Sequence, residues 1–344
     1  MNSASLIEKS WIVFVYAIAI SIESILIEYL TRFTQISPLM LSATSITMAG
    51  IMLLLTAVFG FKRKKAIKKL FTDATKLLIF ASLALAIGIF TWYDSINRIG
   101  ASKELLVAGP LEIVIIVLLA KLFLKERLHR THIVGIGVAL MGFALALLSD
   151  TNLNPFVSGL SFTAASTTPN LVHIGFGELE AIISAFGFAT AVLFLTKIVK
   201  TYSSMEAAGT TMFTAGVFLL AILFIEFVTS GMNVGILSMS MPSTGHTQFS
   251  VTNIIILVLF SLIPFIGSLS YSTGLSRIGA SLTATIGSSS ILITVFLELT
   301  AKEFGIRTHL PENVILAILA GILGFLGIYI IHLPRYSPPI TKGN

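Results

Sequence analysis

Two glutamates stand deep inside long apolar runs of this 344-residue sequence: Glu23, flanked by Ser21 and Ser24, and Glu112, two residues after Pro110. An ionisable side chain at the centre of a hydrocarbon layer costs about 2.5 to 3.5 kcal/mol on insertion scales, so its default reading is functional. A carboxyl group at that depth is a proton or cation site. Beside Glu112, Pro110 lacks a backbone donor, which frees the carbonyl of Leu106 and can kink a helix, so Glu112 reads as a site for a substrate amine or a proton. The competing reading for each is a structural carboxyl bonded to a neighbouring helix. Glu28 lies five residues beyond Glu23, about 140° further around a helix, and can pair with Arg32 four residues on. Lys103 and Glu104 are placed near a helix end, where they can snorkel to the interface. Glu180 is favoured at a helix start by the dipole alone, and Glu226 and Glu298 lie close to helix ends. No functional role is expected for these.

Trp92, Tyr93 and Asp94 close an apolar run, and Tyr271 occupies the position that matches Trp92 in a repeat described below. Such aromatics either form the interfacial belt of a membrane protein or rim a cavity from two sides. Pro264, Gly267, Ser268 and Ser270, with the run Gly287-Ser288-Ser289-Ser290, offer small hydroxylated surfaces that pack helices or bond a solute. The chain has no cysteine, which excludes disulfides and thiolate chemistry. No His-Glu-x-x-His, phosphate loop, dinucleotide fingerprint or serine elbow is present, and the six histidines fall at helix ends or in loops. An enzyme is not expected, nor a cofactor or metal.

The elements that must position these residues follow from composition. The chain is 55% hydrophobic and 11% charged with a mean hydropathy of +0.96, whereas a soluble domain carries roughly 25% charged residues. A bilayer core is crossed by about 20 apolar residues in a helix. Ten runs qualify: 11–30, 39–60, 77–96, 105–124, 131–149, 178–198, 205–228, 254–273, 282–299 and 314–332. No removable signal peptide is expected, since the first run has no small-residue cleavage site behind it.

Lys and Arg set the orientation. The cluster Lys62-Arg63-Lys64-Lys65-Ala66-Ile67-Lys68-Lys69, together with Lys125, Arg127 and Arg130, belongs to the cytoplasmic side. With ten spans both termini are then cytoplasmic, and 16 of the 22 basic residues lie inside. The two longest connections, 150–177 and 229–252, hold no Lys or Arg and are expected outside. The net charge of +6 therefore follows the membrane rule, and the Lys-rich segment is matched to anionic lipid headgroups rather than to nucleic acid.

Residues 88–102 can be laid on residues 267–281 without a gap, and Arg-Ile-Gly-Ala-Ser is identical at 98–102 and 277–281. The motif joins spans three and four in one copy and eight and nine in the other. Each half thus has five spans, an odd number, so the halves, 1–165 and 166–344, are inverted in the membrane. Inverted repeats are the architecture of secondary transporters with a midplane site.

The aromatic residue, the Gly-Ala-Ser turn, the small-residue helix with Pro110, then Leu122-Phe123-Leu124-Lys125-Glu126-Arg127-Leu128 and the Gly-rich stretch 135–142 resemble the EamA repeat of the drug/metabolite transporter superfamily. The second copy departs, with Ser288 and Ser289 where Gly109 and Pro110 stand, and an insertion after Lys302-Glu303-Phe304-Gly305. The resemblance implies an all-α integral membrane fold of ten helices in two inverted five-helix repeats. It implies a cavity lined by helices one, three, four, six, eight and nine, and transport of small solutes such as amino acids. The expected substrate or proton site is Glu23, Trp92, Tyr93, Glu112, Tyr271 and Ser288, with Pro110 and Pro264 as kinks. The expected protein is a multi-pass carrier in the inner membrane of a prokaryote, using alternating access, with protons as a candidate coupling ion. A homodimer through the glycine faces of helices five and ten is an expected partner arrangement. The competing class is a membrane sensor or assembly protein that transports nothing.

Overall fold

The computed structural model describes residues 3–34, 36–61, 64–124, 130–149, 175–231, 251–305, 308 and 311–331. The expected external segments 150–177 and 229–252, the basic residues Lys125 and Arg127, and all histidines except His132 lie wholly or mostly outside that set. Among the described residues there is no strand.

The chain is a sequence of helices: α1 (Ser3–Phe33), α2 (Pro38–Leu55) with a π-helical end (Thr56–Gly60), α3 (Lys64–Asp73), α4 (Thr75–Ile99), α5 (Ala101–Leu124), α6 (Arg130–Leu148), α7 (Phe176–Val199), α8 (Ser204–Gly231), α9 (Val251–Phe260), α10 (Leu262–Gly287), α11 (Ser289–Glu303) and α12 (Val314–Ile331). Eight helical stretches are long and apolar enough to cross a bilayer. Their outward faces carry large apolar side chains such as Phe80, Phe224 and Phe227. Polar groups within the spans are turned back on the helix. The hydroxyls of Thr44, Thr47 and Thr91, for example, donate to carbonyls four residues earlier, as hydrocarbon leaves them no water.

Two of the ten expected spans differ from a continuous apolar helix. The fourth, α5, is interrupted by charge at Lys103, Glu104, Glu112 and Lys121. The ninth, expected at 282–299, is split at Ser288 between the end of α10 and α11. The split falls in the Gly-Ser-Ser-Ser run, and Ser288 lines a cavity, where irregular backbone at membrane depth is tolerated. One carbonyl just past the break, that of Ser290, accepts from Ser21 Oγ at 3.1 Å. A further break at Ser261 separates α9 from α10, one helical turn ahead of Pro264, whose missing N–H leaves the Phe260 carbonyl without its helical donor. By contrast α5 stays helical through Pro110.

The Lys-rich segment between the second and third expected spans forms a helix, α3. It turns Leu70 inward and leaves Lys64, Lys65, Lys68 and Lys69 exposed.

The most extensive helix pairings are α4 with α7, α6 with α12, α2 with α8, and α1 with α10. The first three close on glycine. A Cβ at Gly187 would sit 2.6 Å from Gly88 Cα, one at Gly327 2.3 Å from Ala139 N, and one at Gly216 2.7 Å from Thr47 Cα. Small residues let helix backbones approach where lipid gives no hydrophobic drive for association. The two Arg-Ile-Gly-Ala-Ser turns share one backbone shape: Gly100 has φ 89° and ψ 160°, Gly279 φ 83° and ψ 166°. That region is open in practice only to glycine.

Candidate functional site

The helices surround a central cavity that is partly open, its empty space, including the part open to solvent, being about 1310 Å³. Its walls come from α1, α2, α4, α5, α7, α8, α10 and the start of α11, so α2 and α8 join the helices expected from the resemblance. The lining is mostly apolar, with aromatic rings from Tyr16, Trp92, Phe188 and Tyr271 and carboxyl groups from Glu23, Glu104 and Glu112. No Lys, Arg or His is among the described lining residues.

Glu23, on α1, is 2% exposed and accepts from the Tyr93 hydroxyl at 2.8 Å. Tyr93, fully buried, also shares a 3.2 Å hydrogen bond with Ser45 of α2. The serine and tyrosine thus hold the carboxyl where α1, α2 and α4 meet. Glu112 is partly buried on α5, near enough to Tyr16, Tyr271 and Glu104 for its charge to act on each. The Tyr16 and Tyr271 rings lie 4.7 Å apart, joining α1 to α10. Trp92 stands edge-on to both Tyr93 and Phe188, at 5.3 and 5.8 Å.

Of the residues expected at the site, Glu23, Trp92, Glu112, Tyr271, Ser288 and Pro264 line the cavity, and Tyr93 supports it through Glu23. Trp92 and Tyr93 are buried, at 4% and 0% exposure, which excludes the interfacial belt for both. Pro110 faces α12, where a Cβ at Gly324 would come within 2.8 Å of its ring.

The expectation that Lys103 and Glu104 snorkel is corrected. Both are buried: Lys103 forms an ion pair with Glu178 of α7, and Glu104 lines the cavity. Glu104 Oε1 accepts from Ser184 Oγ at 3.1 Å. The available signal was spacing. Glu104 and Glu112 are eight residues apart, about 80° around a helix, hence on one side of α5.

Glu298 is likewise no solvated end group. It is fully buried on α11 and accepts from Ser102 N at 3.1 Å and from the Ser102 hydroxyl. Glu28 pairs with Arg32 at 3.4 Å as expected, and its other oxygen accepts from Ala101 N at 3.0 Å. Carboxylates of α1 and α11 therefore cap the first turn of α5, where orphan donors and the helix dipole favour anions. Glu180 does not stand alone at its helix start either, since it pairs with Arg98, which also binds Asp94 at 2.9 Å.

Apolar helices around a cavity lined by carboxyl groups and aromatic rings define a multi-pass α-helical membrane protein. Residues 9–148, about two fifths of the chain, match the sequence model of the EamA-like transporter family. No curated protein matches the chain. Solved structures do, among them a crystal structure described simply as that of a protein, similar over 95% of this chain and 96% of its own, with a TM-score of 0.59 and 17% identity. The fold therefore recurs over essentially the full length.

Proposed function

We propose that this protein is a secondary transporter that moves small metabolites, amino acids or related solutes, across the plasma membrane of a prokaryote by alternating access. The observation that carries the reading is the central cavity with Glu23, Glu104 and Glu112 in its walls, built from helices of both halves.

The two halves, 1–165 and 166–344, are an inverted pair of five-helix repeats in this proposal. The matching backbone at Gly100 and Gly279 supports it. So do the helix pairings: exchanging the halves turns α4 with α7 into α10 with α1, and returns α2 with α8 and α6 with α12 to themselves. Rocking of one half against the other then exposes the cavity to each side in turn. Glu23 and Glu112 are the substrate or proton sites, Trp92, Tyr93, Tyr271 and Ser288 shape the binding wall, and Pro110 and Pro264 allow bending. Both termini are cytoplasmic, with α3 lying on anionic headgroups through its lysines. A homodimer through α6 and α12 would use their outward faces, because the glycine faces are occupied by each other.

Counterflow of a labelled panel of amino acids and the amines that share their side chains into proteoliposomes, with and without a pH gradient, tests the reading. Saturable exchange is the expected result. Absence of exchange by monodisperse, correctly inserted protein moves the assignment to a membrane sensor or assembly protein.

A further inference from the structure

Glu104 is fully buried, yet only one of its two oxygens has a protein partner. Ser184 Oγ donates to Oε1, while Oε2 has no hydrogen bond within the protein. A carboxylate oxygen removed from water without a donor is costly, and such an orphan calls for a partner supplied from outside the protein. Because Glu104 lines the cavity, the place for that partner is the cavity itself.

Charge narrows what the partner is. Three carboxyl groups line the space, and no Lys, Arg or His does so among the described residues. The remaining polar side chains of the wall are the Trp92 indole and hydroxyls, among them those of Tyr16, Thr211, Tyr271 and Ser288. Where these groups are ionised, a solute carboxylate meets like charge with no cation to answer it, and like charges at short range in a poorly solvated site repel strongly. An ammonium group meets the opposite situation. It can donate to Glu104 Oε2, with the rings of Trp92, Phe188, Tyr16 and Tyr271 lining the same space.

We propose that Glu104 is the cation anchor of the cavity and that the cargo is an amine with an apolar body and no free carboxylate. The inference rests on reading the cavity as a carrier's binding site, and narrows its cargo from amino acids to their carboxylate-free relatives.

Fluorescence gives the test. The chain has two tryptophans, and Trp11 is on the outer surface of α1 at 57% exposure, so Trp11→Phe leaves Trp92 as sole reporter without touching the cavity. The purified, full-length Trp11→Phe protein is titrated with phenethylamine, phenylalanine and 3-phenylpropionate, which share one ring and differ in charge. Phenethylamine is expected to shift Trp92 emission saturably, phenylalanine to bind at least tenfold more weakly, and 3-phenylpropionate not to bind. Glu104→Gln is expected to weaken phenethylamine at least tenfold, and Glu104→Asp to retain most of the affinity. The proposal is overturned if phenethylamine does not bind, if either carboxylate compound binds as tightly, or if Glu104→Gln binds the amine like its parent. Should Glu104→Gln not fold, the charge series on the parent still decides. Counterflow of the same compounds separates the two readings. Exchange of phenylalanine but not phenethylamine overturns the anchor and leaves the carrier, whereas Glu104-dependent binding with no exchange of any compound leaves the anchor and removes the carrier.

Discussion

The Tyr93 hydroxyl donates to Glu23 Oε1 at 2.8 Å, tying the middle of α1 to α4, while Ser45 of α2 holds the same hydroxyl from behind. A carboxyl group so held in a cavity wall is positioned to exchange a proton with a solute or with water. Glu23→Gln keeps the shape and an acceptor oxygen but cannot take up a proton. It is expected to insert normally and to lose the dependence of counterflow on a pH gradient. Glu112→Gln is expected to do the same, and full gradient-driven transport by both variants would remove the carboxylates from the mechanism.

Tyr93→Phe removes the donor and leaves a buried carboxyl group less well satisfied. Loss of one such partner costs about 1 to 3 kcal/mol. The variant should show a lower thermal unfolding midpoint in detergent and reduced transport, with unchanged yield in the membrane fraction. Ser45→Ala should show the same direction at smaller size.

Lys103 is buried against Glu178, and the pair joins α5 to α7. Removing one member of a buried ion pair typically costs about 3 to 5 kcal/mol, because the survivor is left uncompensated. Lys103→Met should therefore lower the unfolding midpoint sharply. Lys103→Met with Glu178→Leu should recover much of that loss, and a double variant no better than the single would show that the pair does not act as a unit.

The glycines of α6 and α12 make a paired contrast. A Cβ at Gly327 meets the Ala139 backbone at 2.3 Å, whereas one at Gly137 meets nothing within 4 Å. Gly327→Ala should depress folded yield, since overpacking costs about 1 to 3 kcal/mol even where side chains can move, and here the obstacle is backbone. Gly137→Ala should be neutral or slightly stabilising. Size-exclusion yield and unfolding midpoint compare the two directly.

The native chain has no cysteine, so single introduced cysteines report topology without background. A cysteine at Lys68 of α3 should react with an impermeant maleimide only from the cytoplasmic face. Labelling from the outside in intact cells would invert the orientation drawn from the Lys and Arg distribution.

Much of this protein is set by properties local to the chain. Apolar runs of about 20 residues can lower their free energy in a bilayer only as helices, so the membrane class and most span positions are legible from composition. Glu23 and Glu112 stand out for the same reason, as charge is conspicuous where everything around it is apolar. The Gly100 and Gly279 turns are legible because an identical five-residue motif surrounds both. Tertiary structure decided what depends on which helix faces which. Glu104 and Lys103 sit next to one another in sequence and both bond α7, yet Glu104 lines the cavity while Lys103 pairs with Glu178, a distinction set by the packing of α5 against its neighbours. Glu298 looks like an end group until α11 is laid beside the first turn of α5, nearly two hundred residues away in the chain. The break at Ser288 and the burial of Trp92 and Tyr93 follow likewise from a cavity that no single helix contains. The sequence carries the energetics of each segment against lipid, and only the assembled helices determine which side chains meet inside.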